Sequence, residues 1–256
     1  MSIEEQIARP GECLVTIRFP QVDAAGIVFY PRYFEMAFSC FAQLPFAAAP
    51  FAIETRFLRP NRLGDRVLLS FDQDLETNEW SLAGRMDDDD YFTIRPLSAG
   101  MAQLSPQAHR VATAAFGTEP GRVADWTSGR DGRMLMSRYF ELHNVSVEQW
   151  FEHTLDLPFH ELHVGRKVGI PTVMFSTRCR ELPTVGDEVN MWLRPTKIGS
   201  RAMTLTSWLV RDDECLVENE QVVVFVRMLE NGYESIPIPD DVRAAFGRQL
   251  ENDAVR

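Results

Sequence analysis

The sequence predicts an α+β protein built from two tandem halves, each with one helix followed by antiparallel strands. Two sets of internal matches indicate the repeat. The pattern Gly-x5-Arg-Tyr-Phe-Glu occupies residues 26–35 and again residues 132–141, an offset of 106 residues. Thr-Arg pairs at residues 55–56 and 177–178 match at an offset of 122 residues. The 16-residue change in offset falls between helix and strands, so the second half has the longer helix or exit loop.

In the first half, an alternating strand pattern over residues 13–19 leads through a turn into an apolar segment that begins a helix at Pro31. Proline is favoured at the first helical position, because its missing N–H would have no partner there. After the small-residue stretch 45–50, period-two alternation and turn residues predict four strands. These strands cover residues 51–59, 66–74, 80–85 and 91–97.

The second half repeats this order. A helical apolar stripe covers residues 136–153, and four strand-like runs follow it. Between the halves, residues 98–133 are rich in Gly, Pro, Ser, Ala and Arg, with a short strand predicted around residues 110–116. We therefore divide the chain into residues 1–117 and 118–256. The second-half strands cover residues 172–180, 188–195, 202–211 and 216–229.

Composition and charge restrict the classes of function. The formal net charge of −11 and the isoelectric point near 5.0 argue against nucleic acid as a partner, since phosphate binding needs a basic face. The amino terminus lacks the basic and apolar regions of a signal peptide, and no apolar run approaches membrane-spanning length. The four cysteines have no short C-x-x-C spacing, so neither a zinc site nor a disulfide framework is indicated. These observations predict a cytoplasmic protein without a membrane segment or a bound metal.

One stretch combines strand, turn and helix with a carboxylate. Asp23 lies in the turn between the first strand and the helix that begins at Pro31. The first N–H groups of a helix have no partner within it and favour negative charge. A carboxylate in a loop whose free N–H groups can face a ligand oxygen predicts a place for chemistry. The simpler alternative is that Asp23 caps the helix.

The residues around Asp23 closely resemble the signature of the 4-hydroxybenzoyl-CoA thioesterase family of hotdog-fold proteins, in which an Asp-Pro-Ala-Gly-Ile-Val-Phe/Tyr-like run follows the first strand. Gln21 and Ala24 depart from that signature, where many members have Asp and Pro. The resemblance implies a double hotdog, two tandem folds that each wrap an antiparallel sheet around a central helix, with two pseudo-equivalent sites between them. The likeness is carried by Arg18-Phe19, Asp23, Ala25-Gly26-Ile27-Val28, Tyr30-Pro31 and Tyr33-Phe34.

The resemblance further implies an acyl-CoA thioesterase. Asp23 then serves as nucleophile or as general base, two roles that the sequence does not separate. The backbone N–H groups of Val28, Phe29 and Tyr30 are the expected oxyanion donors. Tyr30 is counted with Asp23 among the catalytic residues and is expected to line the acyl pocket, with a place in the core as the alternative. An aromatic or medium-chain acyl group would suit the rings in and after the signature, which are also ordinary core residues. These rings are Phe29, Tyr30, Phe34, Phe38 and Phe41.

Four further residues are candidates for substrate binding, each with a structural alternative. Gln21 could orient a water or stabilise the turn, and Gly26 belongs to the signature itself. His143 and Asn144 on the second helix could face the thioester, and the alternative is an ordinary surface or hydrogen-bonded core histidine. Residues 159–171 are expected to supply the opposite wall of the site.

Coenzyme A carries phosphates, so basic residues near a turn are expected along its path. Lys197, Ser200 and Arg201 occupy such a turn and are the candidates, although a hairpin with solubilising charges accounts for them equally simply. Loosely clustered histidines without a cysteine or a helical pair make a poor metal site. These histidines are His153, His160 and His163.

In this interpretation only one of the two implied sites has a catalytic carboxylate. At the position equivalent to Asp23 the second half has Gly129. The second site therefore lacks its carboxylate unless Asp131 takes that role.

Two other classes of function remain open. A hotdog hydratase or dehydratase acting on enoyl or hydroxyacyl thioesters would need a histidine paired with an acid, and no histidine lies near Asp23 in the sequence. A non-catalytic acyl-CoA-binding module would fit the decayed second signature. The expected partners are a coenzyme A or acyl-carrier thioester as substrate, with no cofactor, and a second tandem chain by analogy with the fold.

Overall fold

The structure, a computed structural model, has two α+β halves in the order that the sequence predicts. The first half contains β1 (Glu12–Thr16), α1 (Pro31–Cys40), β2 (Phe51–Phe57), β3 (Arg66–Gln73), β4 (Trp80–Met86) and β5 (Asp89–Pro96). The second half opens with β6 (Phe116–Gly117), β7 (Gly121–Arg122), α2 (Met136–Leu155), a π-helix (Glu161–Gly165), β8 (Val168–Gly169) and β9 (Thr172–Cys179). It ends with β10 (Glu188–Ile198), β11 (Ala202–Arg211), β12 (Glu214–Val224), β13 (Val226–Leu229), β14 (Gly232–Ser235) and α3 (Asp240–Ala254). The residues described are 11–23, 25–74, 76–77, 79–98, 103–104, 115–119, 121–229 and 232–254.

A single antiparallel sheet runs through both halves. Within the described residues it has eleven strands, in the order β1-β3-β4-β5-β2-β9-β12-β11-β10-β6, with β7 also paired to β10. The halves join where β2 pairs with β9, and Ile53 lies opposite Thr177 at this joint. Because both strands also pair with a neighbour in their own half, neither half has a free edge at the joint.

The two helices α1 and α2 cross where the repeated Arg-Tyr-Phe-Glu motifs meet. The fully buried rings of Phe34 and Phe140 stack with centroids 4.3 Å apart. Beside them Arg32 forms an ion pair with Glu141 across the halves (3.0 Å). Buried side chains from both halves form one continuous hydrophobic cluster around this crossing. The motif that revealed the repeat is therefore the contact that packs one half against the other.

The carboxy-terminal half adds structure that the sequence pattern does not predict. The predicted strand over residues 216–229 divides into β12 and β13 at Phe225, whose N–H donates to the Arg201 carbonyl (2.8 Å). Strand β13 then pairs with β8 and β14 in a separate small sheet. The π-helix packs against β8, so this small sheet and the π-helix form one structural unit.

The structure tests neither of the two predictions about the linker. The short strand predicted around residues 110–116 lies largely outside the described residues. The predicted boundary after residue 117 stays a prediction, and Phe116–Gly117 pair with β10 of the second half.

The cysteines depart from the sequence-based expectation. Cys13 on β1 and Cys40 at the end of α1 form a disulfide, with Cα atoms 5.9 Å apart and a sequence separation of 27. Spacing rules do not find such a pair, because the helix brings it together across the sheet. Cys179 and Cys215 are free and buried. The cytoplasmic location stays a prediction, and the argument from cysteine spacing no longer supports it.

The described helices were also compared with the length and apolarity needed to cross a lipid bilayer. None of the helices in the described part of the chain meets both requirements.

Candidate active site

Asp23 lies in a tight turn just before helix α1. Val22 and Val28 form an isolated antiparallel bridge, and the Asp23 N–H donates to the Ile27 carbonyl (2.8 Å). The Gly26 N–H closes the turn by donating to the Asp23 carbonyl (3.0 Å). Gly26 has a φ of +73°, a left-handed conformation that residues with a side chain rarely adopt. Gly26 therefore serves the turn, and the turn positions the Asp23 side chain.

The Asp23 carboxylate is held by its own turn and exposed at the surface. Its Oδ1 accepts hydrogen bonds from the N–H groups of Ala25 (2.8 Å) and Ile27 (3.3 Å). Among the described residues, its Oδ2 has no hydrogen-bond partner. Helix α1 follows Tyr30 without a side-chain cap, so the alternative that Asp23 caps the helix is wrong. One carboxylate oxygen is available to a substrate or a water.

Neighbouring groups shift the pKa of this carboxyl in opposite directions. Partial desolvation raises the pKa of Asp23 above its ordinary value. The backbone hydrogen bonds from Ile27 and Ala25 lower it, as does a positive charge on His163. The net effect is a raised pKa, which makes Asp23 more basic than an ordinary surface aspartate.

The three predicted oxyanion donors differ in availability. The Val28 N–H donates to the Asn61 carbonyl (2.9 Å), and the Phe29 N–H donates to the Gln21 carbonyl (3.0 Å). Both groups are therefore engaged in backbone hydrogen bonds. The Tyr30 N–H has no partner among the described residues. It is the one of the three that is free to bind a substrate oxygen.

The Tyr30 side chain points toward the second half. Its hydroxyl donates to the Phe140 carbonyl on α2 (3.2 Å), and its ring meets the edge of Phe175 with centroids 5.0 Å apart. Burial raises the pKa of Tyr30 well above its ordinary value, so the hydroxyl stays protonated at neutral pH. The side chain joins the halves at the site, and the backbone of the same residue carries the free donor.

Strand β14 of the second half lies beside the Asp23 turn, and the opposite wall predicted for residues 159–171 stays a prediction. The Arg62 guanidinium lies over the ring of Tyr233 on β14, 5.9 Å from its centroid. Arg62 also forms a backbone bridge with Ile27 of the Asp23 turn, so this contact places β14 beside the turn.

The predicted substrate-binding residues differ in burial and in their hydrogen-bond partners. The Gln21 side chain accepts a hydrogen bond from the Arg18 N–H (2.6 Å), which stabilises the short turn before Asp23. His143 is fully buried on the sheet-facing side of α2. Asn144 faces the other way and donates to Glu148 (2.6 Å).

Of the two candidates on α2, Asn144 is only partly buried. It lies one helical turn after Phe140, whose carbonyl accepts the Tyr30 hydroxyl. His143 hydrogen-bonds within the core and does not reach the turn of Asp23.

The predicted coenzyme A residues occupy the exposed turn between β10 and β11. The Arg201 guanidinium donates to the Ser235 carbonyl at the end of β14. The Ser200 carbonyl accepts from Arg243 on α3 (3.0 Å). Lys197 is exposed, and no hydrogen bond of its side chain is seen among the described residues. The turn thus abuts the strand that carries Tyr233, and Lys197 is its available cation.

The second half contains the same turn without Asp23. The Gly129 N–H donates to the Arg133 carbonyl (2.8 Å), and the Gly132 N–H donates to the Gly129 carbonyl (3.0 Å), as in the Asp23 turn. These equal contacts identify Gly129 as the structural counterpart of Asp23. Asp131 accepts a hydrogen bond from the Arg133 N–H (3.1 Å). Asp131 thus bonds locally, two positions further along the turn than Asp23 does.

No protein-family model matches the chain, and no curated protein matches it. Among solved structures, one from Lactobacillus plantarum, assigned as an oleoyl thioesterase, aligns with 83% of this chain and 95% of its own, at 11% identity and a TM-score of 0.60. A thioesterase superfamily protein from Jannaschia sp. aligns with 57% of this chain and 97% of its own, at 18% identity and a TM-score of 0.50. A 1,4-dihydroxy-2-naphthoyl-CoA thioesterase from Synechocystis aligns with 52% of this chain and 96% of its own, at 14% identity and a TM-score of 0.47.

The Lactobacillus plantarum structure aligns with most of this chain. The Jannaschia sp. structure aligns over nearly its whole length with little more than half of this chain. The chain is a double hotdog. At these identities the likeness establishes the fold. The double hotdog accounts for the single sheet, for the crossing of α1 and α2, and for the equivalent turns at Asp23 and Gly129.

Sequence analysis did not single out Arg62 and Tyr233, which lie beside the Asp23 turn. Arg62 and Tyr233 follow no motif, and their contact depends on the packing of the halves. Across the described residues, no group of three or more His, Cys, Asp or Glu side chains is placed to bind a metal ion.

Proposed function

We propose that this double hotdog hydrolyses acyl-CoA thioesters at one equipped site, with Asp23 as the attacking or activating carboxylate. The observation that carries this proposal is that one short loop presents both an available carboxylate oxygen of Asp23 and the free N–H of Tyr30. The resemblance of the loop to 4-hydroxybenzoyl-CoA thioesterases supports it. The fold of the solved thioesterases is consistent with it.

Thioester hydrolysis passes through a tetrahedral intermediate with a negatively charged oxygen. In the proposed mechanism the Tyr30 N–H donates to this oxygen, and the amino-terminal end of α1 adds its positive dipole. One such donor is typically worth about 10²–10³ in rate. Asp23 either attacks the carbonyl carbon and forms an anhydride that water hydrolyses, or it acts on the water directly. In both routes the C–S bond breaks and the coenzyme A thiolate leaves.

The proposed acyl pocket lies beside Phe29 and Tyr30, whose rings are 5.2 Å apart. The other three predicted rings make core contacts: Phe34 stacks on α2, and Phe38 and Phe41 are partly buried and pack against the core cluster. An aromatic or medium-chain acyl group remains the proposed substrate class. For a coenzyme A phosphate, we propose Lys197 as the contact, since the neighbouring Arg201 side chain already binds a backbone carbonyl.

The proposal is tested by thiol release from a panel of aromatic and aliphatic acyl-CoA esters. Asp23→Asn keeps the size of the side chain and removes its charge, so kcat is expected to fall at least about a hundredfold. Asp131→Asn is the matched control, because it makes the same change in the equivalent turn, and it should stay within about twofold of wild type. Folding of both variants is checked by circular dichroism. Turnover by Asp23→Asn close to that of wild type would contradict the proposal.

Two further measurements refine the assignment. Single-turnover hydrolysis in ¹⁸O-labelled water puts the label on the Asp23 carboxylate and gives an unlabelled product acid when water attacks the aspartyl carbon of an anhydride, whereas the general-base route labels the product acid alone. Hydration of enoyl-CoA is assayed beside hydrolysis, because a hotdog hydratase acts on the same class of thioester. Hydration without thiol release would favour the hydratase, and ester binding without turnover would favour the binding module.

A further inference from the structure

A buried asparagine lies behind the loop that carries Asp23. Asn61, between β2 and β3, is fully buried although its side chain is polar. Its Oδ1 accepts a hydrogen bond from the Tyr33 hydroxyl on α1 (3.1 Å), and its N–H donates to the same hydroxyl (3.4 Å). Its Nδ2 donates to the Met86 sulfur (3.2 Å). Buried polar groups are costly without partners, so the Tyr33 hydroxyl holds Asn61 at two atoms.

Three hydrogen-bonded contacts join Asn61 to the residue with the free N–H. The Asn61 carbonyl accepts from the Val28 N–H (2.9 Å). On the other side, the Tyr33 N–H donates to the Tyr30 carbonyl (3.2 Å). Tyr33 thus contacts Tyr30 through its backbone and Asn61 through its hydroxyl. The segment from Val28 to Tyr30 is closed into a ring of hydrogen bonds, and this ring restricts the direction of the Tyr30 N–H.

The second half has the same backbone contact without the side-chain hydrogen bond. At the offset of 122 residues, Pro183 occupies the position of Asn61. The Met134 N–H donates to the Pro183 carbonyl (2.8 Å), which is the equivalent contact. Proline has neither a side-chain amide nor a backbone N–H. Neither of the two bonds that Asn61 makes to a tyrosine hydroxyl can therefore form at this position.

The comparison of the halves separates the folding of the turn from the role of the amide. Tyr139 is the counterpart of Tyr33 at the offset of 106 residues, and it is also buried. Both halves thus keep the tyrosine, and both form the backbone of the turn. The asparagine occurs in the half that carries Asp23. Its side chain is therefore not required for the turn itself.

We propose that Tyr33 and Asn61 are positioning residues of the Asp23 site, whose hydrogen bond holds the Tyr30 N–H toward the carbonyl oxygen of the bound thioester. The inference rests on the proposed thioesterase function. An oxyanion donor has to lie about 2.7–3.1 Å from the place where the charge develops. A displacement of about 1 Å can cost about a hundredfold in rate. Loss of this hydrogen bond therefore weakens transition-state stabilisation more than it weakens substrate binding.

Tyr33→Phe tests the inference, because it removes only the hydroxyl and keeps the buried ring. Tyr139→Phe is the matched control, since it makes the same change at the equivalent position. With an ester that the wild type hydrolyses, we expect Tyr33→Phe to lower kcat at least about tenfold, with KM within about threefold. Tyr139→Phe should keep kcat within about twofold of wild type. An equal fall of kcat in both variants would overturn the proposal.

A double variant separates a shared role from two independent ones. Asn61→Ala removes the acceptor of the bond whose donor Tyr33→Phe removes. If the two residues act through this bond, kcat of the double variant should lie within about twofold of the lower of the two single variants. Losses of kcat that multiply in the double variant would overturn the proposal.

Ligand binding separates positioning from a general loss of structure. The ligand is a thioether analogue of the ester that lacks the carbonyl oxygen, and its Kd is measured by calorimetry. We expect Tyr33→Phe to bind it within about threefold of wild type, because the analogue has no oxygen for the Tyr30 N–H. A Kd that rises in proportion to the fall of kcat would overturn the proposal.

The outcomes distinguish this inference from the proposed function. If Asp23→Asn abolishes hydrolysis while Tyr33→Phe keeps kcat within about threefold, the positioning role is wrong and the thioesterase assignment stands. If circular dichroism shows that Tyr33→Phe does not fold, Asn61→Leu is measured instead, since it removes the acceptor and nearly keeps the side-chain size. Wild-type kcat in that variant overturns the proposal. No turnover by the wild type on any ester overturns both proposals.

Discussion

His143 differs from the other histidines because its ring is fully buried and both of its nitrogens have partners. Nε2 donates to the Gln221 side chain (3.0 Å), and Nδ1 accepts from the Ser207 hydroxyl (3.0 Å). This pattern satisfies a neutral ring and leaves no place for a second proton. Burial accordingly lowers the pKa of His143 from 6.5 to about 4.

The lowered pKa of His143 predicts that the folded protein becomes less stable at acidic pH. Between pH 6.5 and about 4 the unfolded chain binds a proton at His143 that the folded chain does not, so the free energy of unfolding falls as the pH drops. From pH 7 to pH 4.5 the loss from this residue is about 2 kcal/mol. Urea unfolding at both pH values measures it. In His143→Gln the loss should be smaller by that amount, and an equal loss in both proteins would contradict the prediction.

The two neighbours His143 and Asn144 also show what sequence reasoning misses at this scale. A helical pattern predicts that both lie on α2, and both were candidates for the substrate wall. Their surroundings differ because Gln221 and Ser207 come from strands more than 60 residues away. By contrast, the Asp23 turn was predicted correctly as a turn, because its glycine, its carboxylate and the following proline are contiguous.

Among the elements, the crossing of α1 and α2 carries the clearest energetic expectation. Phe34→Ala removes a fully buried ring from the stack with Phe140 and should lower the free energy of unfolding by about 3–5 kcal/mol. Phe38→Ala on the same helix is the control, because Phe38 is only partly buried and packs on Phe46, away from the crossing. Urea unfolding compares the two. If both variants lost the same free energy of unfolding, the contact between Phe34 and Phe140 would contribute no more to stability than a partly buried contact does.

The helices and the long strands were predictable because their periodicity extends over seven or more residues. The two-residue strands and the π-helix were not, since segments of this length have no measurable period. The small sheet of β8, β13 and β14 depends on pairing between segments more than 50 residues apart. That sheet carries Tyr233, which lies beside the Asp23 turn and which no sequence pattern singles out.

For the whole molecule, the shared core predicts that the halves unfold together. The main cluster contains Phe34 of the first half and Phe140 and Phe175 of the second, and the sheet is continuous through β2 and β9. Hydrogen exchange in increasing urea should therefore show amides of β3 and β11 losing protection in the same cooperative transition. Loss of protection in one of these strands at clearly lower urea would contradict this expectation.

Because the two halves are joined in one chain, the residues at their two equivalent turns can differ. When two copies of one hotdog chain pair, every substitution appears in both sites, so neither site is altered alone. In the present chain the equivalent turns carry Asp23 and Gly129, and the π-helix with His163 follows only the second helix. Each site can therefore acquire its own residues, and a variant can be designed for one site while the other serves as its internal reference.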